Sequence, residues 1–175
     1  TDDNGVYVAV TVFPSSPGGG SPYAKIAVMQ KTPLLSGTPT TAYSWSNISD
    51  MYSTPQPAHN LDAVAAGGQA WFVASAMAYA NVSYRRLTWN GGLPFLDGDA
   101  RIVSTPNFTA VPNAPALGSS VPINAGDMRL QMSTIRGNRL WTCRNVGLNS
   151  DGGTIGADRT GCEWLEMDVS GSVAT

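Results

Sequence analysis

Residues 68–74 read Gly-Gln-Ala-Trp-Phe-Val-Ala, and this phrase, a glycine followed by an aromatic residue in a β-rich run, decides the fold. It recurs at Gly5-Val-Tyr7-Val-Ala9 and at Gly137-Asn-Arg-Leu-Trp141-Thr-Cys143. A second β-rich run follows each copy after a polar loop of variable length, over 23–28, 84–89 and 162–167. Branched and aromatic residues favour strands, and a phrase repeated at long intervals indicates a repeat architecture. The pattern predicts an all-β chain of antiparallel sheets that are blades of a β-propeller with long loops.

The three copies divide the chain into repeat units of about 1–60, 61–125 and 126–175 within a single propeller portion over 1–175. Long connections rich in Ser, Thr and Pro are expected over 36–58 and 106–125. The third unit offers three strands, over 128–135, 139–146 and 162–169. Because propellers have roughly four to eight blades, about three blades describe an incomplete ring. We therefore expect the missing blades of the same protein, or another chain, to be partners of this one.

The composition favours some functional classes over others. Hydrophobic residues make up 42% of the chain, but charged residues only 13%, and the net charge is -2. A nucleic-acid binder carries a basic stripe, which this sequence lacks. No apolar run approaches the roughly 18 residues of a membrane span. A β-rich chain with so few charges is typical of a secreted or cell-surface protein, and we expect that location.

Cys143 and Cys162 lie in the two halves of one predicted hairpin. Each is two residues from a tryptophan on its own strand, and facing strands can bring Cβ atoms to the ~3.8 Å that a disulfide needs. The spacing predicts a Cys143–Cys162 disulfide and hence an oxidising compartment. The alternative is a pair of buried free thiols. With one histidine in the chain, a zinc site is not expected.

Three segments carry a family resemblance. They are Gly126-Asp-Met-Arg-Leu130, Arg136-Gly-Asn-Arg-Leu-Trp-Thr142 and Trp164-Leu-Glu-Met-Asp168. Together they resemble repeats of large bacterial secreted β-propeller proteins, many of them uncharacterised and loosely compared with sialidases. The resemblance implies a propeller fold and secretion. It does not imply any catalytic or ligand-binding residue, because the residues of a blade motif serve packing. The sialidase blade motif is only half matched by residues 1–8, so no sialidase catalytic residue is carried over.

The sequence offers no convincing catalytic constellation. It contains no Gly-x-Ser-x-Gly elbow, and its single histidine, His59, lies in a Pro-rich connection. Oxygen-rich turns make calcium a candidate cofactor, with Asp97 and Asp99 in one turn and Asn149 and Asp151 in another, although neither is a complete calcium loop. We assign no catalytic residue, and we lean towards a protein that is not an enzyme.

Aromatic residues in predicted loops or rims are the better binding candidates, because a flat ring can lie against a ligand. Trp45, Tyr43 and Trp89 are the candidates for ligand binding, with Tyr52 and Tyr79 as further aromatics of the same kind. A glycan is the candidate ligand. The remaining tryptophans are expected in the core, namely Trp71, Trp141 and Trp164.

Three functions remain open at this point. The first is a non-catalytic binding or assembly module that contacts protein or glycan through its loops. The second is part of a glycoside-processing hydrolase whose catalytic residues lie outside this chain. The third is a structural subunit of an extracellular fibre or sheath, because the open edge strands of an incomplete ring invite pairing between chains.

Overall fold

The computed structural model describes residues 1–15, 20–51, 53–64, 68–75 and 81–175. Strands account for 54% of the described residues and helix for 3%, so the predicted all-β class with antiparallel sheets is confirmed. The elements are β1 Gly5–Val12, β2 Tyr23–Gln30, α1 Lys31–Leu35, β3 Ala42–Ile48, β4 Ser53–Pro57, β5 His59–Asn60, β6 Gln69–Ser75, β7 Asn81–Asn90, β8 Leu93–Leu96, β9 Arg101–Ser104, β10 Ala114–Ala116, β11 Ser119–Ile123, β12 Ser133–Arg136, β13 Arg139–Leu148 and β14 Arg159–Asp168.

Three larger sheets contain most of these strands. Sheet A has the order β1-β2-β3, sheet B has the order β4-β6-β7-β8 with β9 also paired to β7, and sheet C has the order β14-β13-β12-β5. All of these pairings are antiparallel except β5 with β12. A separate hairpin joins β10 to β11. The strands β4 and β5 come from the end of the first sequence unit and extend the sheets of the second and third units.

Sheet B lies between sheets A and C. Phe72 on β6 belongs to the apolar cluster shared with sheet A, whereas its neighbours Trp71 and Val73 belong to the cluster shared with sheet C. Successive side chains of a strand point to opposite faces, so β6 is covered on both. This explains why its sequence is a continuous apolar run rather than an alternating one.

The repeated glycines have different local roles. Gly137 and Asn138 both have positive φ, 59° each, and form the two-residue turn between β12 and β13 that favours glycine and asparagine. Gly5 lies within β1, where a Cβ would come within 2.7 Å of the Trp89 ring. The glycine of the first copy is therefore required by packing and that of the third by the turn.

Several predicted boundaries change. The strand expected over 128–135 begins only at Ser133. The connection expected over 36–58 contains β3 and β4, and the one over 106–125 contains β10 and β11. The β-rich run quoted above as residues 68–74 is confirmed as β6, Gln69–Ser75.

An ion pair anchors the segment after β3 to sheet B. The Arg85 guanidinium, itself buried, donates to both carboxylate oxygens of Asp50 at 2.7 and 2.6 Å, and the Ala100 amide donates to the same carboxylate at 2.7 Å. Partial burial works against ionisation of this carboxyl, but the Arg85 and Ala100 hydrogen bonds outweigh it and hold the pKa of Asp50 below its ordinary value of 3.8.

This contact predicts an acid-sensitive contribution to stability. A carboxyl group whose pKa is lowered on folding stabilises the folded state at pH values above its pKa in the unfolded chain. This contribution is lost as the pH falls through the pKa of the group in the folded protein. We expect the free energy of unfolding to fall below pH 3.8, and the fall to be shallower in Asp50→Asn. Urea unfolding at a series of pH values measures it. Asp99→Asn, at an exposed carboxylate nearby in sequence, should follow the wild-type profile, and an unchanged profile for Asp50→Asn would contradict the assignment.

Candidate functional site

Sheet C has one covered face and one open face. Leu140, Thr142 and Arg144 of β13 point towards sheet B and are buried. The alternate residues Trp141, Cys143 and Asn145 therefore point away from sheet B. The register sets them opposite Glu166, Trp164 and Cys162 of β14. We call this surface the outer face of sheet C.

Two tryptophans form the centre of the outer face. Trp141 is 41% exposed and Trp164 is 66% exposed. Their ring centroids are 5.5 Å apart, and the ring planes are tilted by 30°. The two residues are diagonal neighbours in the register, since Trp164 faces Cys143 and not Trp141. A shallow open groove lies against the rings and is lined by Met132, Thr134, Trp141, Thr142, Cys143 and Trp164.

The expectation that Trp141 and Trp164 are core residues is therefore wrong, while Trp71, 2% exposed, is confirmed as core. The physical reason is the order of the layers. Trp71 lies on sheet B, which is covered by a sheet on each face, whereas sheet C is covered on one face. Both tryptophans of sheet C lie on the uncovered face.

Charged residues border the tryptophans at one end of the outer face. Arg139 lies 3.2 Å from the Asp168 carboxylate and 3.5 Å from that of Glu166. Hydrogen bonds from Ser170, and to a smaller extent the Arg139 charge, lower the pKa of the Asp168 carboxyl. Glu166 is also directly opposite Trp141. The face thus combines apolar rings with hydrogen-bonding groups, and the positive charge of Arg139 is already paired.

The predicted Cys143–Cys162 disulfide is wrong, because both residues are free cysteines. The hairpin itself is confirmed, but Cys143 faces Trp164 and Cys162 faces Asn145. Diagonal neighbours across two strands are about 7–8 Å apart, against the ~3.8 Å between Cβ atoms in a disulfide. The alternative of buried thiols is also wrong for Cys162, which is exposed, whereas Cys143 is half-buried. Burial, followed by the neighbouring Cys162, raises the pKa of the Cys143 thiol.

The aromatic residues predicted to bind a ligand lie elsewhere. Trp89 is 6% exposed and donates a hydrogen bond to the Tyr7 hydroxyl at 3.0 Å, so its ring is part of the core between sheets A and B. Trp45 and Tyr43 are half-buried on β3, not in a loop, and Trp45 packs against the same core. Tyr52 and Tyr79 lie outside the described residues. The structure does not bring Trp45, Tyr43 and Trp89 to one exposed surface.

The predicted calcium residues lie in two turns. Asp97, half-buried, is 3.5 Å from Arg86, and Asp99 is exposed. The Asn149 side-chain oxygen accepts the amides of Asp151 and Gly153 at 3.0 and 2.8 Å, so it organises its own loop. In the part of the chain that the structure describes, no three or more His, Cys, Asp or Glu residues are grouped as metal ligands. Calcium remains a prediction.

Comparisons with protein-family models, with curated proteins and with solved structures give no match to this chain. Within the described ranges, no helix is long and apolar enough to cross a membrane.

Proposed function

We propose that the protein is a non-catalytic binding module and that the outer face of sheet C binds a neutral glycan. The observation that carries the proposal is the exposed pair Trp141 and Trp164, two adjacent rings held on regular paired strands. Exposed tryptophans are unusual because a large apolar ring gains free energy from leaving water. A pyranose ring offers C–H groups that pack on such a ring, and its hydroxyls need hydrogen-bonding neighbours.

The groups beside the rings favour a neutral sugar over an acidic one. Glu166 next to Trp141 offers carboxylate oxygens to hydroxyl groups, and Asn145 beyond Cys143 offers its side-chain oxygen, since its amide nitrogen already donates to the Ala125 carbonyl at 2.8 Å. Arg139 is paired with the carboxylates of Glu166 and Asp168, so it is not a free partner for an acidic sugar. The rigid strands lower the entropy cost of ordering the site. A secreted or cell-surface location, expected from the sequence, would expose the face to such ligands.

An alternative proposal interprets the three sheets as successive propeller blades. Each is built largely from strands consecutive in sequence, and the central sheet packs face to face against both others. In that arrangement the outer face of sheet C is where the next blade would pack. A second candidate function follows from the apolar lining of the groove: the face is an assembly surface for another sheet layer, from the same protein or another chain.

The glycan proposal predicts that binding depends on both tryptophans. We expect Trp141→Ala and Trp164→Ala each to weaken retention by a neutral polysaccharide at least about tenfold, because central aromatic residues dominate such contacts. Affinity electrophoresis in gels containing neutral or acidic polysaccharides measures the effect. Phe13→Ala is the matched control, since Phe13 is 66% exposed like Trp164 but follows β1.

Retention and sedimentation measurements separate the candidates. The glycan proposal is overturned if no neutral polysaccharide retains the wild-type protein, or if Trp164→Ala is retained as strongly as wild type. Concentration-dependent association in sedimentation velocity that Trp164→Ala abolishes would support the assembly function instead. Retention by acidic polysaccharides alone would contradict the choice of a neutral sugar.

A further inference from the structure

The outer face of sheet C also holds both cysteines of the chain. Cys143 and Cys162 are diagonal neighbours in the register, offset in the same direction as Trp141 and Trp164. The right-handed twist of a sheet brings the residues of one kind of diagonal pair closer together and moves those of the opposite diagonal pair apart. The tryptophan rings show that this diagonal is the close one. This diagonal therefore brings the Cys143 and Cys162 side chains towards each other on one face, and the two thiols are not bonded to each other.

Other soft groups lie beside Cys143, in the groove against the tryptophan rings. Met132, 60% exposed, lines the same groove as Cys143 and brings a thioether sulfur to it. Trp164 is directly opposite Cys143 and two residues from Cys162 on the same strand. Thiolate and thioether ligands select soft metal ions such as Cu(I), and an aromatic face attracts a nearby cation. The face therefore gathers sulfur donors and a π system around the diagonal thiol pair.

We propose that Cys143 and Cys162 bind one Cu(I) ion on the outer face of sheet C, with the Met132 sulfur as a third ligand. Binding replaces two thiol protons, which pass to solvent, by two Cu–S bonds, and copper keeps its oxidation state. Cu(I) accepts two or three sulfur ligands, whereas structural zinc requires four donors. The described residues place no further His, Cys, Asp or Glu with the two thiols as a ligand group, which favours Cu(I) over zinc.

The test uses the full chain, reduced and kept free of oxygen, titrated with Cu(I) supplied as its acetonitrile complex against a chromophoric Cu(I) chelator. We expect one Cu(I) per chain, a sulfur-to-copper absorption band in the ultraviolet, and quenching of tryptophan fluorescence. Cys143→Ser and Cys162→Ser should each weaken binding by about 100-fold or more, and Met132→Leu by about tenfold. Met29→Leu, on β2, is the matched control and should bind like wild type.

Three results would overturn the site. The first is a single-serine variant that binds Cu(I) as tightly as wild type. The second is wild-type protein that takes no Cu(I) from the chelator although both thiols react with a thiol reagent. The third is a Met29→Leu variant that weakens Cu(I) binding as much as Met132→Leu does, because Met29 lies on β2, away from the outer face. If Trp164→Ala loses fluorescence quenching but keeps the absorption band, the thiols bind the metal and Trp164 reports it.

Discussion

Replacing Arg144 with alanine is expected to lower the free energy of unfolding by about 3–5 kcal/mol, because it removes a fully buried side chain and leaves the partly buried Glu163 carboxylate without its partner. The Arg144 side chain is fully buried between sheets B and C. Its Nε donates to Glu163 at 2.6 Å, one terminal nitrogen donates to the Thr105 hydroxyl at 2.9 Å, and the guanidinium lies 4.0 Å from the centre of the Phe108 ring. One side chain thus ties β13 to β14 and to the segment after β9.

Chemical denaturation, monitored by fluorescence, measures this loss of stability. Two further variants test its cause. The double variant Arg144→Met with Glu163→Gln removes both charges, so it should recover part of the loss. Arg129→Ala breaks an exposed pair with Asp127, whose side chains are 50% and 47% exposed, and should cost at most about 1 kcal/mol. If Arg144→Ala were no more destabilising than Arg129→Ala, the buried pair would not hold these strands together.

Arg144 also shows why the sequence misleads about this sheet. Along β13 the two alternating sets are Leu140, Thr142, Arg144 and Val146 on one side and Arg139, Trp141, Cys143 and Asn145 on the other. Each set contains one arginine, and the exposed set also contains the tryptophan, so polarity alone does not identify the buried face. The period of two predicts which residues share a face, but which face is covered depends on the layer order, and that is a property of the whole fold.

The strands that could be predicted are those with strong local signals. The runs at β1, β2, β6, β7, β13 and β14 are rich in branched and aromatic residues, and the Gly137-Asn138 turn closes a hairpin by its backbone preference. The strands β3 and β4 read as connections because serine and proline have low strand propensity. They pair because β2 and β6 offer unpaired edges, which no local pattern reveals.

The cysteines illustrate the same limit at the level of the site. The spacing of each cysteine from its tryptophan correctly places both on one hairpin and one face, but the partner across the strands depends on the register. The turn from Asn149 to Asp158 sets that register, with Leu148 opposite Arg159 and therefore Cys162 opposite Asn145. A register in which Cys143 faced Cys162 would have allowed the disulfide. The length and hydrogen bonds of one exposed loop thus decide whether the outer face carries a disulfide or a pair of thiols.

A second large effect is expected from Tyr7→Phe, which should lower the free energy of unfolding by about 2–4 kcal/mol, since two buried polar groups lose a partner. The Tyr7 hydroxyl donates to the buried Asp2 carboxylate at 2.7 Å and accepts from the Trp89 ring nitrogen at 3.0 Å. The substitution keeps the edge contact of the ring with Phe72, at a centroid distance of 5.9 Å. Tyr43→Phe, at a half-buried tyrosine of the same sheet, is the control and should change stability little.

The pH dependence provides an independent test of the same network. Burial, and after it the Asp2 charge, raise the pKa of Tyr7 above its ordinary value of 10.0. Above pH 10.0 the unfolded chain therefore loses this proton while the folded chain keeps it, and the free energy of unfolding must fall as pH rises. Tyr7→Phe removes this proton from both states, so its stability should decline less steeply than that of wild type or Tyr43→Phe in urea unfolding at alkaline pH. A variant that is destabilised at neutral pH but keeps the wild-type alkaline slope would show that packing, and not the buried hydroxyl, is what the substitution disturbs.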